Sequence, residues 1–213
     1  MIRFLLLDLD NTLYQPDTGL WEAIGHRINQ YMIERLGFHP EEVKERRDAY
    51  LHLFGTTLNA LRHYHHVDAD DFLSYVHDLP LERHLPENPE LDSMLARLPQ
   101  RKVIFTNADA PHALRVLSRL GIRRHFEQIF DIHGMDFICK PDPRAYEKVL
   151  ELIGARPEEC VFADDSLQNL VPARVMGMTT VLVGPEEDAA GANYCIRNIL
   201  EIESVLKSCL KHR

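Results

Sequence analysis

The sequence predicts an α/β protein: a doubly wound parallel sheet with helices on both faces and an all-helical segment inserted after its first strand. Three observations predict it. Short apolar runs such as Phe4-Leu5-Leu6-Leu7 end in turn residues, as strands buried on both faces of a parallel sheet do. From about residue 88, strand and helix patterns alternate, which makes a parallel sheet covered by helices. Residues 15–85 show helical periodicity and no convincing strand.

The first strand runs into Asp8, and Asp10 follows two places on. Gln15-Pro16-Asp17-Thr18-Gly19 is turn-rich. A first helix follows, with Leu20, Ile24, Ile28 and Tyr31 on one face and Gly37 as its stop. Pro40-Glu41-Glu42 opens a second helix, which reaches about Phe54. Gly55-Thr56-Thr57 interrupts, and a third helix carries Leu58 and Leu61. The fourth starts near Asp68 and carries Phe72, Leu73 and Val76. Pro80, Pro86 and Pro89 read as a linker out of the helical segment.

The second strand is 102–105, ending at Thr106 and Asn107. Asp109 and Pro111 start a helix that Gly121 stops. Residues 128–132 form a short third strand. Asp142-Pro143 opens a helix ended by Gly154. The fourth strand, 160–163, ends in Asp164-Asp165, and Ser166 is a candidate N-cap for the next helix. Residues 179–183 make a fifth strand, and a last helix spans roughly 199–210.

The chain has 213 residues, enough for one large domain or a core with an appendage. A net charge of −9 argues against a surface for nucleic-acid polymers or anionic membranes. No apolar run approaches the length needed to span a bilayer. The N-terminal run is too short for a signal peptide, so the cytoplasm is expected. The four cysteines form no C-x-x-C pair, and reduced, mostly buried thiols are expected.

Ligands in open α/β sheets bind beyond the carboxyl ends of the strands. Asp8 and Asp10 stand at one such end, where isolated carboxylates are costly unless bonded or paired with a cation. Alone, the pair could equally be acids capping a turn. Thr106-Asn107 and Asp164-Asp165 stand at two more strand ends, with Lys140-Pro141 in a loop between. Turn chemistry does not account for so many polar strand ends in one chain. In order and spacing, Asp-x-Asp-x-Thr-Leu at 8–13, Thr-Asn, Lys-Pro and Asp-Asp resemble the four motifs of the haloacid dehalogenase superfamily of phosphohydrolases.

That resemblance implies a Rossmann-like core of residues 1–14 and 86–213, with 15–85 as a helical cap. It implies Asp8 as nucleophile and Asp10 as general acid, then base. It implies Mg²⁺ held by Asp8, the Asp10 main-chain oxygen and Asp164, with Asp165 and Asn169 around that set. Thr106 and the Asn107 main chain would bind phosphoryl oxygens, and Lys140 would neutralise nucleophile and phosphate. An acid at position 10 fits phosphoryl chemistry rather than cleavage of carbon–halogen bonds.

Asn11, Gly55-x-Thr-Leu and Asp164-Asp165-Ser166-x-x-Asn169 resemble the pyrimidine 5′-nucleotidase branch. The expected substrate is a pyrimidine nucleotide, with Asn11, Tyr14, Thr56 and Thr57 as candidate substrate contacts. Tyr50 is either a base-stacking residue or a core aromatic. Another small phosphorylated metabolite, such as a sugar phosphate, is the alternative within enzymes, and a catalytically idle binding relative is the alternative outside them. A monomer and a homodimer both stay open. The histidines at 63, 65 and 66 read as a solvated helix end, with no third ligand to complete a metal site.

Overall fold

The structure, a computed structural model, describes residues 1–185 and 190–211. Its elements in chain order are β1 (Phe4–Leu7), α1 (Leu20–Leu36), α2 (Val43–Phe54), α3 (Thr57–His65), α4 (Ala69–His77), α5 (Pro89–Arg97) and β2 (Arg101–Phe105). Then come α6 (Ala110–Arg119), β3 (Gln128–Phe130), α7 (Pro143–Ile153), β4 (Cys160–Asp164), α8 (Leu167–Val175), β5 (Thr179–Val183), β6 (Tyr194–Ile196) and α9 (Ile202–Lys211). These residues form two compact units, Met1–Gln15 with Leu85–Arg213, and Pro16–His84.

The first unit is one parallel sheet in the order β3-β2-β1-β4-β5-β6. The chain builds outward from β1 on one side and then returns to continue on the other. The switch point, where ligands bind in such sheets, lies between β1 and β4. Leu7 pairs with Ala163 there, and with Ile104 on the other side. The next residue along each of the three strands is Asp8, Asp164 or Phe105 followed by Thr106. All four residues of β1 are buried, as the uninterrupted apolar run requires. On one face, Phe105, Tyr146 and Phe162 form an aromatic group with ring centres 5.3–5.9 Å apart. Such pairs add about 0.5–1.5 kcal/mol to what their area burial contributes.

The second unit packs α1 on α4 and α2 on α3. Gly37 ends α1 in the left-handed conformation that its lack of a Cβ permits. Tyr31 meets Phe72 and Tyr75 edge-on at 5.1 and 5.3 Å, and its hydroxyl donates to Asp71 at 2.8 Å. Burial of that hydroxyl and its bond to Asp71 push Tyr31 up to about 12. Among the described residues no helix is long and apolar enough to cross a membrane.

The sequence expectations differ from the structure in three places. Pro89 does not belong to a linker: it opens α5, and Asn88 caps that helix by accepting from the Leu91 N–H. Proline at the first helical position lacks only a donor that would be unpaired anyway. Strand β3 stops at Phe130, because Asp131 turns its carboxylate onto the N–H groups of Ala110 and Gly134. A sixth strand, Tyr194–Ile196, adds an edge that three residues of mixed polarity did not announce.

Candidate active site

The site grows from one tight turn after β1, which the Leu13 N–H closes by donating to the Leu9 carbonyl at 3.0 Å. The Thr12 hydroxyl reaches Asp8 Oδ2 at 3.3 Å, and the Tyr14 hydroxyl reaches Asp10 Oδ1 at 2.6 Å. Asn11, within the turn, has a φ of 58°, a left-handed conformation that asparagine tolerates better than most residues.

Parallel pairing brings the second acid alongside. The Asp8 N–H donates to the Ala163 carbonyl at 2.9 Å, which sets Asp8 beside the end of β4. Lys140 then bridges the two strands. Its Nζ donates to Asp8 Oδ1 at 2.7 Å and to Asp164 Oδ2 at 2.6 Å. All three side chains are buried, with Lys140 only 1% exposed. The ammonium also stands 5.2 and 5.3 Å from the ring centres of Phe105 and Phe162. Burial alone would lower the lysine pKa, but the charges of Asp164 and Asp8 outweigh it and hold the ammonium above its ordinary range. Burial pushes Asp8 well up. The Lys140 charge opposes that, while Asp164 and Asp165 add to it.

Asp164 is held on every side. Its Oδ1 accepts from the Ser166 N–H at 2.8 Å, and the Asn169 amide donates to both of its oxygens at 3.0 and 3.1 Å. Asn169 is steadied in turn, since the Tyr146 hydroxyl donates to its carbonyl at 2.5 Å. Ser166 serves through its backbone; its side chain makes no cap bond. Asp165 as a residue is exposed, yet one carboxylate oxygen turns toward Asp8 and Asp164. Desolvation there, with the charge of Asp164, pushes Asp165 up to about 7, and a hydrogen bond from Asn11 opposes the rise.

Carboxylate oxygens of Asp8, Asp164 and Asp165 lie within 4.8 Å of one another. Three hard oxygen donors converging on one point suit a hard divalent cation such as Mg²⁺. The Asp10 carboxyl is turned elsewhere, to Tyr14 and to His112, whose Nε2 is 3.0 Å from Oδ1. This leaves the expected contribution of Asp10 to a metal with its main chain, not its side chain.

Thr106 is buried at the end of β2, and its Oγ1 accepts from the Ala108 N–H at 3.0 Å. Asn107 uses its side chain on Lys140: Oδ1 accepts the Lys140 N–H and Nδ2 donates to the Lys140 carbonyl, both at 2.9 Å. Among the described residues the buried Asn11 Oδ1 has no hydrogen-bond partner. Tyr14, a candidate substrate contact, is 5% exposed and donates its hydroxyl to Asp10. Its i, i+4 spacing from Asp10 was the signal for that role. Thr56 and Thr57 belong to the second unit. Thr56 Oγ1 caps α3 by accepting from the Asn59 N–H at 3.1 Å, and Thr57 is buried. Tyr50 is half-buried, stacked on the exposed Tyr64 at 5.8 Å and hydrogen-bonded to His65. His112 is the site residue that the sequence reading missed altogether.

Comparison with known proteins shows the family and the fold. The family model described as haloacid dehalogenase-like hydrolase matches residues 2–177. "Phosphate metabolism protein 8" of Saccharomyces cerevisiae is 29% identical over 197 residues, covering 84% of this chain and 61% of that protein. The chain thus spans less than two thirds of that relative. "GMP/IMP nucleotidase YrfG" of Escherichia coli is 27% identical over 199 residues, covering 89% of this chain and 87% of that one. A HAD phosphatase from Thermococcus onnurineus superposes with a TM-score of 0.65 at 22% identity, over 96% of this chain and 98% of its own. L-2-haloacid dehalogenase from Xanthobacter autotrophicus superposes with 0.64 at 14% identity, over 97% and 99%. Since a dehalogenase and a phosphatase share the fold equally well, the fold alone does not select the chemistry.

Proposed function

The chain belongs to the haloacid dehalogenase-like hydrolases, and from that premise we propose that it is a Mg²⁺-dependent phosphomonoester hydrolase whose best substrates are pyrimidine nucleoside 5′-monophosphates. One observation carries the reading: Asp8 and Asp164 are buried together on one lysine, with a second acid, Asp10, two residues along. A binding module gains nothing from burying that set, since isolated buried charges are costly.

In this reading an Asp8 oxygen forms a bond to phosphorus as the ester P–O bond breaks. Asp10 gives its proton to the departing alkoxide. Asp10 then takes a proton from the attacking water, the Asp8–phosphorus bond breaks and inorganic phosphate leaves. The Lys140 charge favours the ionised form of Asp8 against the upward push of burial, and it neutralises incoming phosphate. Thr106 and the Asn107 main chain contact the phosphoryl oxygens, while the Asn107 side chain fixes the Lys140 backbone. Asp8, Asp164 and the Asp10 main chain, with Asp165 and Asn169 around them, would hold Mg²⁺, which would supply positive charge to the transferring group.

The nucleotide preference is supported by the motifs around Asn11, Thr56-Thr57 and Asn169, and by a nucleotidase among the relatives. That relative is named for purine nucleotides, so purine monophosphates belong in the test. Phosphatases of other small metabolites among the relatives, for phosphoglycolate and phosphoserine, support the second reading, a phosphatase of a non-nucleotide metabolite.

The test is hydrolysis of p-nitrophenyl phosphate with and without Mg²⁺, then a panel of UMP, CMP, GMP, IMP and sugar phosphates. Release of phosphate only with Mg²⁺, fastest from UMP or CMP, is expected. A fully active protein after metal removal would count against the mechanism, and a preference for sugar phosphates would count against the substrate.

A further inference from the structure

His112 lies in the first turn of α6, the helix that follows the Thr106-Asn107 end of β2. It is 1% exposed, and its Nε2 is 3.0 Å from Asp10 Oδ1. The Tyr14 hydroxyl reaches the same oxygen at 2.6 Å. Two donors from different segments thus meet on one oxygen of the proposed acid and base. Tyr14 comes from the turn after β1, and His112 from the helix after β2. Oδ1 is the acceptor of both bonds while Oδ2 carries the proton of the acid step, so Nε2 donates the second bond.

We infer that His112 and Tyr14 are positioning residues for Asp10. Together they clamp Oδ1 and so fix the orientation in which the other oxygen, Oδ2, exchanges a proton with the leaving group and the water. This rests on the phosphatase reading above. Two fixed bonds on Oδ1 define the carboxyl plane, where a single bond would leave it free to swing. Proton transfer is efficient only when the group is held within hydrogen-bonding reach of the reacting oxygen. A purely structural role predicts something different: loss of either bond would loosen the core and depress every substrate alike.

The leaving group separates these accounts. p-Nitrophenolate departs with little help from an acid, whereas an alkoxide must be protonated as it leaves. The experiment compares kcat/KM for p-nitrophenyl phosphate and for an alkyl monoester, glycerol phosphate or UMP, in wild type, His112→Phe, His112→Gln and Tyr14→Phe. The value of kcat/KM reports phosphoryl transfer to Asp8 for both esters. Expected is a loss on the alkyl ester about 10–100-fold greater than on p-nitrophenyl phosphate for His112→Phe and Tyr14→Phe. His112→Gln, whose amide can still donate to Oδ1, should recover much of it. Equal losses on the two esters, or no loss on either, would overturn the assignment. Tyr14→Phe removes one oxygen atom and keeps the ring, so it decides the matter should His112→Phe fail to fold. A wild-type protein that hydrolyses neither ester would instead sink the phosphatase reading, and this one with it.

Discussion

The side-chain amide of Asn107 is bonded twice to the main chain of Lys140, accepting from its N–H and donating to its carbonyl, each at 2.9 Å. The lysine that joins Asp8 to Asp164 is therefore aimed from its backbone by a residue at the end of another strand. Asn107→Ala deletes both bonds and should lower stability by about 1–3 kcal/mol, with kcat/KM falling for alkyl and aryl phosphates alike. Urea unfolding and kinetics on both esters check this. An unchanged kcat/KM would mean that Lys140 keeps its aim without the amide.

Asp8→Asn should abolish turnover together with the acid-stable phosphoenzyme that radiolabelled substrate would give. Asp10→Asn keeps the size but cannot carry the proton, so kcat should fall on the order of 10²–10⁴-fold. Near-wild-type turnover by Asp8→Asn would rule out the covalent route.

Metal dependence should follow from the convergence of Asp8, Asp164 and Asp165. EDTA should silence the protein and Mg²⁺ restore it. Ca²⁺ should bind yet support little activity, because its larger and looser shell misaims the nucleophile. Asp164→Ala should raise the Mg²⁺ concentration needed for half-maximal activity, measured by titration of the metal-free protein.

The two threonines at the start of α3, Thr56 as its cap and Thr57 as its first residue, should separate by function. Thr56→Ala removes the N-cap of α3 and should cost about 1 kcal/mol, while Thr56→Ser keeps the capping oxygen and should stay close to wild type. Thermal melting reads this directly. Thr57→Val should lower kcat/KM for UMP and CMP by about 1–3 kcal/mol and spare p-nitrophenyl phosphate. Equal losses on all three substrates would make Thr57 a packing residue.

Alkali should weaken the helical unit through Tyr31. Its folded value, about 12, lies above the ordinary value of 10.0. A raised value means stability that is fully present below pH 10 and lost as pH climbs toward 12. Spectrophotometric titration should show tyrosine ionisation near 12 that is diminished by one residue's worth in Tyr31→Phe.

What was legible in the sequence was local. Asp8, Thr106 and Asp164 stood out because each ends an apolar strand, and strand ends in one sheet converge by construction. Lys140 stood out only through its place between those ends. His112 gave no such sign: a histidine in a helix with Leu114 and Leu117 has no pattern that tells a satisfied core residue from a site residue. Its role exists only because α6 returns to the turn after β1. Tyr14 stood out as a candidate substrate contact, and its bond to Asp10 depends on the turn that brings residues 10 and 14 together. The strand β6 escaped because three residues at a sheet edge carry too short a pattern to count.

The insertion begins and ends almost at one point: His84 Nδ1 lies 3.2 Å from the carbonyl oxygen of Thr18. For a chain that must pair β1 with β2, this bears on the order of assembly. An unstructured segment from Pro16 to His84 would have to be closed as a loop, at an entropic cost of roughly 4 kcal/mol. Once that segment has folded, its ends are already together, and of the 93 residues between β1 and β2 only the 24 outside Pro16–His84 remain to be bridged. The helical unit then acts as a shortcut for the search that starts the sheet. Weakening it with Thr56→Ala should slow refolding of the whole chain by more than it speeds unfolding, which stopped-flow kinetics would show.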